Sequence, residues 1–165
     1  MIIRKAELQD LDSIVRILLE QKKYLKDKGI PQWQGEYPNE DTFKNDIAEG
    51  RLYVLADQNE VKAFFALIYP DHNYDYIEDG KWLDDSKYIA VHRMAVDSPC
   101  KGKGCAGIIF DYLKSNYPHI RIDTHARNSS MIRAVTKNNF EYCGVVYMED
   151  GTKRNAYEWL KEKDQ

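Results

Sequence analysis

The sequence predicts an α/β (α+β) fold: a mixed, mostly antiparallel sheet of about seven strands flanked by helices, forming a single domain over residues 1–165. Three observations carry this. The chain has 165 residues, 43% of them apolar and spread over the whole length, which suits one core rather than two. Segments with strand-like and helix-like periodicity alternate in the order β α α β β β α β α β β. Two pairs of strand-like runs are joined by short polar turns, which marks antiparallel hairpins and excludes a purely parallel sheet.

Ile2–Ala6 reads as a first strand. Leu11, Ile14, Val15, Leu18 and Leu25 then recur at helical spacing, so residues 8–28 form an amphipathic helix, with Asp10 and Asp12 suiting its dipole and Gly29 ending it. Pro31 and Pro38 bracket a loop that holds Trp33 and Tyr37. Asn39 caps a second helix, which buries Phe43 and Ile47 and stops at Gly50. Arg51–Asp57 and Val61–Tyr69 form a hairpin about Gln58-Asn59-Glu60. Pro70–Ser86 is a long acidic and aromatic connection, followed by a strand over Lys87–Val96. After the polar loop Asp97–Lys103, Ile108, Ile109, Tyr112 and Leu113 mark a helix that stops before Pro118. Ile120–Thr124 is a strand and Ser129–Asn138 a short helix. Phe140–Met148 and Arg154–Trp159 close the order as a hairpin around Asp150-Gly151.

A net charge of -3 and a pI of about 5.8 disfavour non-specific nucleic-acid binding, which needs a basic face. Cys100, Cys105 and Cys143 are odd in number and contain no CxxC pair. Reduced thiols are expected, with no disulfide framework and no metal site. No run approaches the ~20 apolar residues of a membrane span, and the N-terminal apolar run is too short for a signal peptide, so a cytoplasmic protein is expected.

Lys101-Gly102-Lys103-Gly104-Cys105-Ala106 lies between a strand and a helix. Its glycines let the backbone turn sharply and approach a ligand, and the helix that follows aims N–H groups and its positive dipole end at the same place. With two lysines added, these are the parts of a pyrophosphate site. Gly102-x-Gly104-x-x-Gly107 also matches the dinucleotide fingerprint, with Asp123 near the position of a ribose-binding acid. That reading is rejected. Asp97-Ser98-Pro99-Cys100 separates the motif from its strand, the chain ends too soon after Gly107 for further parallel strand–helix units, and hairpins stand on both sides.

Val91-His92-Arg93-Met94-Ala95-Val96 followed by Lys101–Ala106 resembles the acyl-CoA motif of the GNAT superfamily of N-acetyltransferases, written Gln/Arg-x-x-Gly-x-Gly/Ala. Asn128, Met131 and Phe140 resemble the next block of that superfamily, and the element order matches over essentially the full chain. The resemblance implies a GNAT fold and an N-acetyltransferase using acetyl-CoA as co-substrate, with no metal. Pantetheine would pair with the backbone of Met94 and Val96 in a gap between two splayed strands. The N–H groups of Gly102, Lys103, Gly104, Cys105 and Ala106, beside Lys101, would hold the pyrophosphate. An N–H near Met94 or Ala95 would polarise the thioester. Asn128 would belong to the same cofactor site. A primary amine on a small molecule or peptide would attack directly.

Two positions depart from the family pattern. Lys101 replaces Gln or Arg, keeping the charge without the forked donor. Val135 occupies the place of the tyrosine that protonates the leaving thiolate, so the thiolate leaves unaided or with help from Tyr142.

His92 is the candidate general base, since histidine titrates in the range that amine deprotonation requires; the competing reading is a structural histidine bonded in the sheet. Arg93 should alternate to the opposite face and pair with Asp123. His125 either faces the same cleft, where it relays a proton or binds the acceptor, or fixes the loop to Asn128. Trp33, Tyr37 and Trp82 are candidate acceptor contacts whose aromatic faces, among carboxylates, suit a cationic amine; otherwise they anchor loops to the core. Cys100 and Cys105 lack a paired base and read as loop or core residues. A non-catalytic acyl-CoA sensor or partner-binding module of the same fold is the alternative function. An exposed edge strand allows a homodimer.

Overall fold

Seven strands hydrogen-bond into one sheet in the order β1-β2-β3-β4-β5-β7-β6 in the computed structural model, which describes residues 1–163. The strands are β1 (Ile2–Lys5), β2 (Leu52–Asp57), β3 (Glu60–Ile68), β4 (Ile89–Val96), β5 (His119–Thr124), β6 (Glu141–Tyr147) and β7 (Lys153–Leu160). The helices are α1 (Leu11–Asp27), α2 (Glu40–Ala48), α3 (Cys105–Asn116) and α4 (Ser129–Lys137). Strands β1–β2, β2–β3, β5–β7 and β6–β7 pair antiparallel, and β4 pairs parallel with β5 from Ile89↔Ile120 to Val91↔Ile122. The expected element order and mixed sheet are therefore both present.

The chain divides into two compact units. The first comprises Met1–Leu67 and His92–Ile109. Its core is the apolar face of α1 (Leu11, Ile14, Ile17, Leu18) packed on Phe43, Leu52, Val54, Val61, Phe64, Ala66 and Ala95, with Trp33 and Ile47 against its margin. Burial of these side chains is the dominant stabilising term, about 1.5–3 kcal/mol for each large one. Asn39 caps α2 as expected, accepting from the Thr42 N–H at 3.0 Å while Thr42 Oγ1 accepts from the Asn39 N–H.

Asp10 does more than complement the dipole of α1. A short 3-10 turn, Leu8–Asp10, precedes that helix, and the Asp10 carboxylate accepts from the Glu7 N–H at 2.8 Å and from both terminal nitrogens of Arg4 at 2.7 and 2.9 Å. The bonds from Arg4 hold its pKa below the ordinary aspartate value. A lowered folded pKa means stability that is present above the unfolded value of about 3.9 and is lost as pH falls through the folded value. Arg4→Ala is expected to lower Tm at neutral pH and to flatten its fall below about pH 4. Thermal melts of both proteins from pH 2 to 7 check this.

The second unit comprises Ile68–Val91 and the chain from Phe110 onward. Tyr74, Ala90, Val146 and Ala156 form a core cluster here, flanked by Ile77, Trp82, Tyr88 and Met148. Residues 70–86 are an irregular connection, as expected, broken by a 3-10 turn at His72–Tyr74, and it is anchored to this core through Tyr74, Ile77 and Trp82. Tyr74 is fully buried and its hydroxyl donates to Asp123 at 2.6 Å, while Glu78 and Val145 exchange backbone bonds of 3.0 and 2.9 Å. Buried Glu158 accepts from Arg121 Nε at 2.7 Å and the Leu83 N–H at 2.5 Å, and pairs with His119 at 2.5 Å. Cys143 lies beside this carboxylate, and burial together with that charge raises its thiol pKa to about 12. Among the described residues, no helix is long and apolar enough to cross a membrane.

Candidate active site

The centre of the first unit's candidate site is the turn between β4 and α3. Gly102 and Gly104 have φ values of 75° and 87°, in the left-handed region that glycine alone enters without strain. A Cβ built on either would meet no atom within 4 Å, so the loop leaves an open cradle above its backbone. Helical bonding starts at once, the Ile108 N–H donating to the Gly104 carbonyl at 3.1 Å. The first-turn N–H groups of such a helix have no carbonyl partner within it and face outward with the positive dipole end. An open, glycine-lined helix entrance of this kind fits an anionic group such as a pyrophosphate.

Helix α1 positions the loop. Asp97, at its start, is buried and accepts from the two terminal nitrogens of Arg16 at 3.1 and 3.3 Å; its own N–H donates to the Lys62 carbonyl on β3 at 2.8 Å. Ser98 Oγ donates to Glu20 at 3.3 Å. Lys101 Nζ donates to Gln21 Oε1 at 3.0 Å and lies 4.0 Å above the Tyr24 ring. These partners, at positions 16, 20, 21 and 24, line one face of α1. Burial lowers the pKa of Lys101. The Lys101 side chain thus tethers the loop to α1, whereas Lys103 is exposed. Cys100 and Cys105 flank the loop and are buried; burial raises the Cys105 pKa, in keeping with a core thiol.

His92, Met94, Ala95 and Val96 lie on β4 leading into this loop. Met94 and Ala95 are buried, and His92 and Val96 half-buried. The alternation expected along the strand fails at Arg93, which has φ 49°. Its partner is Asp46 of α2, not Asp123: Nε and Nη2 donate to the two carboxylate oxygens at 2.7 and 2.8 Å. Arg51 Nε adds a further bond to Asp46 at 2.7 Å, and Arg93 Nη1 donates to the Tyr37 hydroxyl at 2.8 Å. Asp123 is instead the acceptor for Tyr74. Sequence periodicity misses this pairing because it joins residues 47 apart; the only local signal is an aspartate on the otherwise apolar side of a short helix.

Trp33 has φ 61° and packs on the core, and the Tyr37 ring is 57% exposed. In the second unit, Trp82 donates its Nε1–H to the Tyr74 carbonyl at 2.9 Å and stacks on Arg121, so it anchors residues 70–86. His125 fixes its loop as one of its two readings expected: its carbonyl accepts the Asn128 N–H at 3.0 Å and its Nδ1 accepts the Arg127 N–H at 3.1 Å. Burial, with Arg154 and Arg127 nearby, lowers the His125 pKa. Asn128 is the N-cap of α4, its side chain accepting from Met131 N–H and Ser130 Oγ. Val135 is fully buried and Tyr142 is 54% exposed, its ring edge against Tyr157.

No family model matches the chain. An acetyltransferase of the GNAT family from Streptococcus agalactiae 2603 has a similar structure, with a TM-score of 0.91 and 32% identity, over 98% of this chain and 96% of that one. An acetyltransferase of the GNAT family from Bacillus cereus ATCC 10987 shares the fold at a TM-score of 0.67, with 21% identity over 98% of each chain. Among curated proteins, YesJ of Bacillus subtilis (strain 168), named as an uncharacterized N-acetyltransferase, is 24% identical over 149 residues, 85% of this chain and 81% of that protein. A seven-stranded mixed sheet with a glycine-lined helix entrance after its fourth strand is the architecture of an acyltransferase. The chain belongs to the GNAT family of acetyltransferases.

Proposed function

We propose that the protein is an N-acetyltransferase that moves an acetyl group from acetyl-CoA to the primary amine of a small molecule or peptide by direct attack. The observation that carries this reading is the loop Lys101–Ala106, with its two positive-φ glycines, its open cradle and the entrance of α3. The N–H groups of Gly102–Ala106 hold the pyrophosphate, and the backbone of Met94 and Val96 holds the pantetheine arm. When bound, acetyl-CoA supplies an acetyl group whose C–S bond is exchanged for the C–N bond of the product.

His92 accepts a proton from the acceptor ammonium, which frees the lone pair needed for attack. A backbone N–H at Met94 or Ala95 donates to the carbonyl oxygen as negative charge develops there, the electrostatic device common to acyl transfer. Sulfur leaves as thiolate, unaided or with a proton from Tyr142; equal turnover in Tyr142→Phe and wild type would assign the unaided route. Trp33 and Tyr37 border the acceptor.

Gly104→Trp is expected to weaken acetyl-CoA binding by at least about 100-fold. It places an indole in the cradle and forces a bulky residue to φ 87°, at a cost of about 1–2 kcal/mol for the backbone alone. Calorimetric titration checks this, and binding equal to wild type would remove the loop from the site. The burial of Val135, where the family carries its acid, favours a second reading as an acyl-CoA sensor. Tight acetyl-CoA binding with no thiol released across a broad amine panel would establish the sensor instead.

A further inference from the structure

Arg93 holds a conformation that costs a non-glycine residue about 1–3 kcal/mol, in the middle of a strand that is otherwise regular. Such strain persists only where the surroundings over-determine it. They do so here through one guanidinium. Asp46 is wholly buried and grips two nitrogens of Arg93 in a bidentate fork, the strongest geometry for this pair. The third nitrogen reaches the Tyr37 hydroxyl. The Arg93 side chain is 9% exposed and Asp46 wholly buried, so the fork between them is shielded from bulk water, whereas the bond to Tyr37 lies at the surface.

Charge explains why Tyr37 is part of the arrangement. Arg51 and Arg93 share the single carboxylate of Asp46. That leaves one guanidinium charge in excess, and a phenol oxygen is a neutral acceptor that stabilises it without ionising. The Tyr37 ring meanwhile stays exposed, in the loop between α1 and α2. One side chain therefore ties together helix α2, the kink of β4 immediately before Met94, and the loop assigned to the acceptor.

We propose that Arg93 and Asp46 are positioning residues that set the kink of β4, and that Tyr37 couples this kink to residues 31–39, so that cofactor binding orders the acceptor loop. This rests on the acetyl-CoA reading of the loop at 98–107. Neither Arg93 nor Asp46 touches the reacting atoms; they act through the backbone of Met94. Coupling between two sites is typically worth about 5–150-fold.

Hydrogen–deuterium exchange on the full chain, with and without free coenzyme A, tests the proposal. In the wild type, coenzyme A is expected to slow exchange in peptides covering 98–107, and also in those covering 31–39 by roughly 5-fold or more. In Tyr37→Phe, which removes one oxygen from an exposed side chain, slowing at 98–107 should persist and slowing at 31–39 should vanish. A tyrosine that merely held the loop down would instead raise exchange at 31–39 equally in both states. That result, or slowing at 31–39 that is absent from the wild type or survives in Tyr37→Phe, overturns the coupling. Absence of slowing at 98–107 in the wild type identifies failure of the cofactor reading itself and takes the coupling with it.

Discussion

His92→Ala is expected to lower acetyl transfer by about 100-fold or more while leaving acetyl-CoA affinity unchanged. Positioned general bases contribute roughly 10²–10⁴ to rate. His92 stands on β4, two residues before Met94 and in the same run as the backbone that we assign to the thioester. It is half-buried, so its replacement removes a proton acceptor without opening a large core cavity. Free-thiol release over an amine panel gives turnover, and calorimetry gives affinity. Unchanged turnover would make His92 a structural histidine. A parallel loss of affinity and thermal stability would carry the same meaning.

The second large effect is on stability and lies away from the loop. Gly80→Ala is expected to destabilise the fold by about 2–4 kcal/mol, because overpacking against backbone cannot relax as a flexible side chain would. A Cβ at this position would stand 1.9 Å from the Cys143 carbonyl oxygen and 2.9 Å from its carbon. Residues 76–84 would have to lift from β6, losing the Glu78–Val145 bond pair and the bond from Tyr147 to Glu78. For a chain of this size that loss corresponds to a Tm lower by roughly 5–15 °C. A melt within 2 °C of wild type, by the precision of the method, would show that the segment moves aside without cost. Because β5, β6 and β7 pair through consecutive ladders, the damage should appear as one cooperative transition.

These predictions divide by how far the sequence could foresee them. Helix α1 was legible because Leu11, Ile14, Leu18 and Leu25 repeat at its period, and the loop at Gly102 because glycines and lysines cluster between a strand and a helix. Both signals are local. The packing of residues 70–86 was not legible: Gly80 and Cys143, like Tyr74 and Asp123, are distant in sequence, and an acidic stretch with aromatics reads equally well as solvated or anchored. The partners of Lys101 were not legible either. Its charge suggested a phosphate contact, but the acceptors that fix its ammonium, Gln21 and the Tyr24 ring, lie on a helix 80 residues earlier. Arg93 failed the alternation rule because strand periodicity assumes extended backbone, and a positive φ breaks that assumption.

The glycine turn that the sequence announced is held by side-chain contacts that it did not. Asp97 to Arg16, Lys101 to Tyr24 and Arg93 to Asp46 each fix a part of the turn between β4 and α3. A loop held in this way would present its N–H groups to the proposed pyrophosphate already ordered, which is where affinity is gained.

The most direct test is calorimetric titration of the full chain with acetyl-CoA, beside coenzyme A and NADH. Micromolar binding of acetyl-CoA, with NADH weak or silent, is the predicted result. Absence of acetyl-CoA binding, or preference for NADH, would contradict the assignment of Lys101–Ala106 and with it every role proposed for β4.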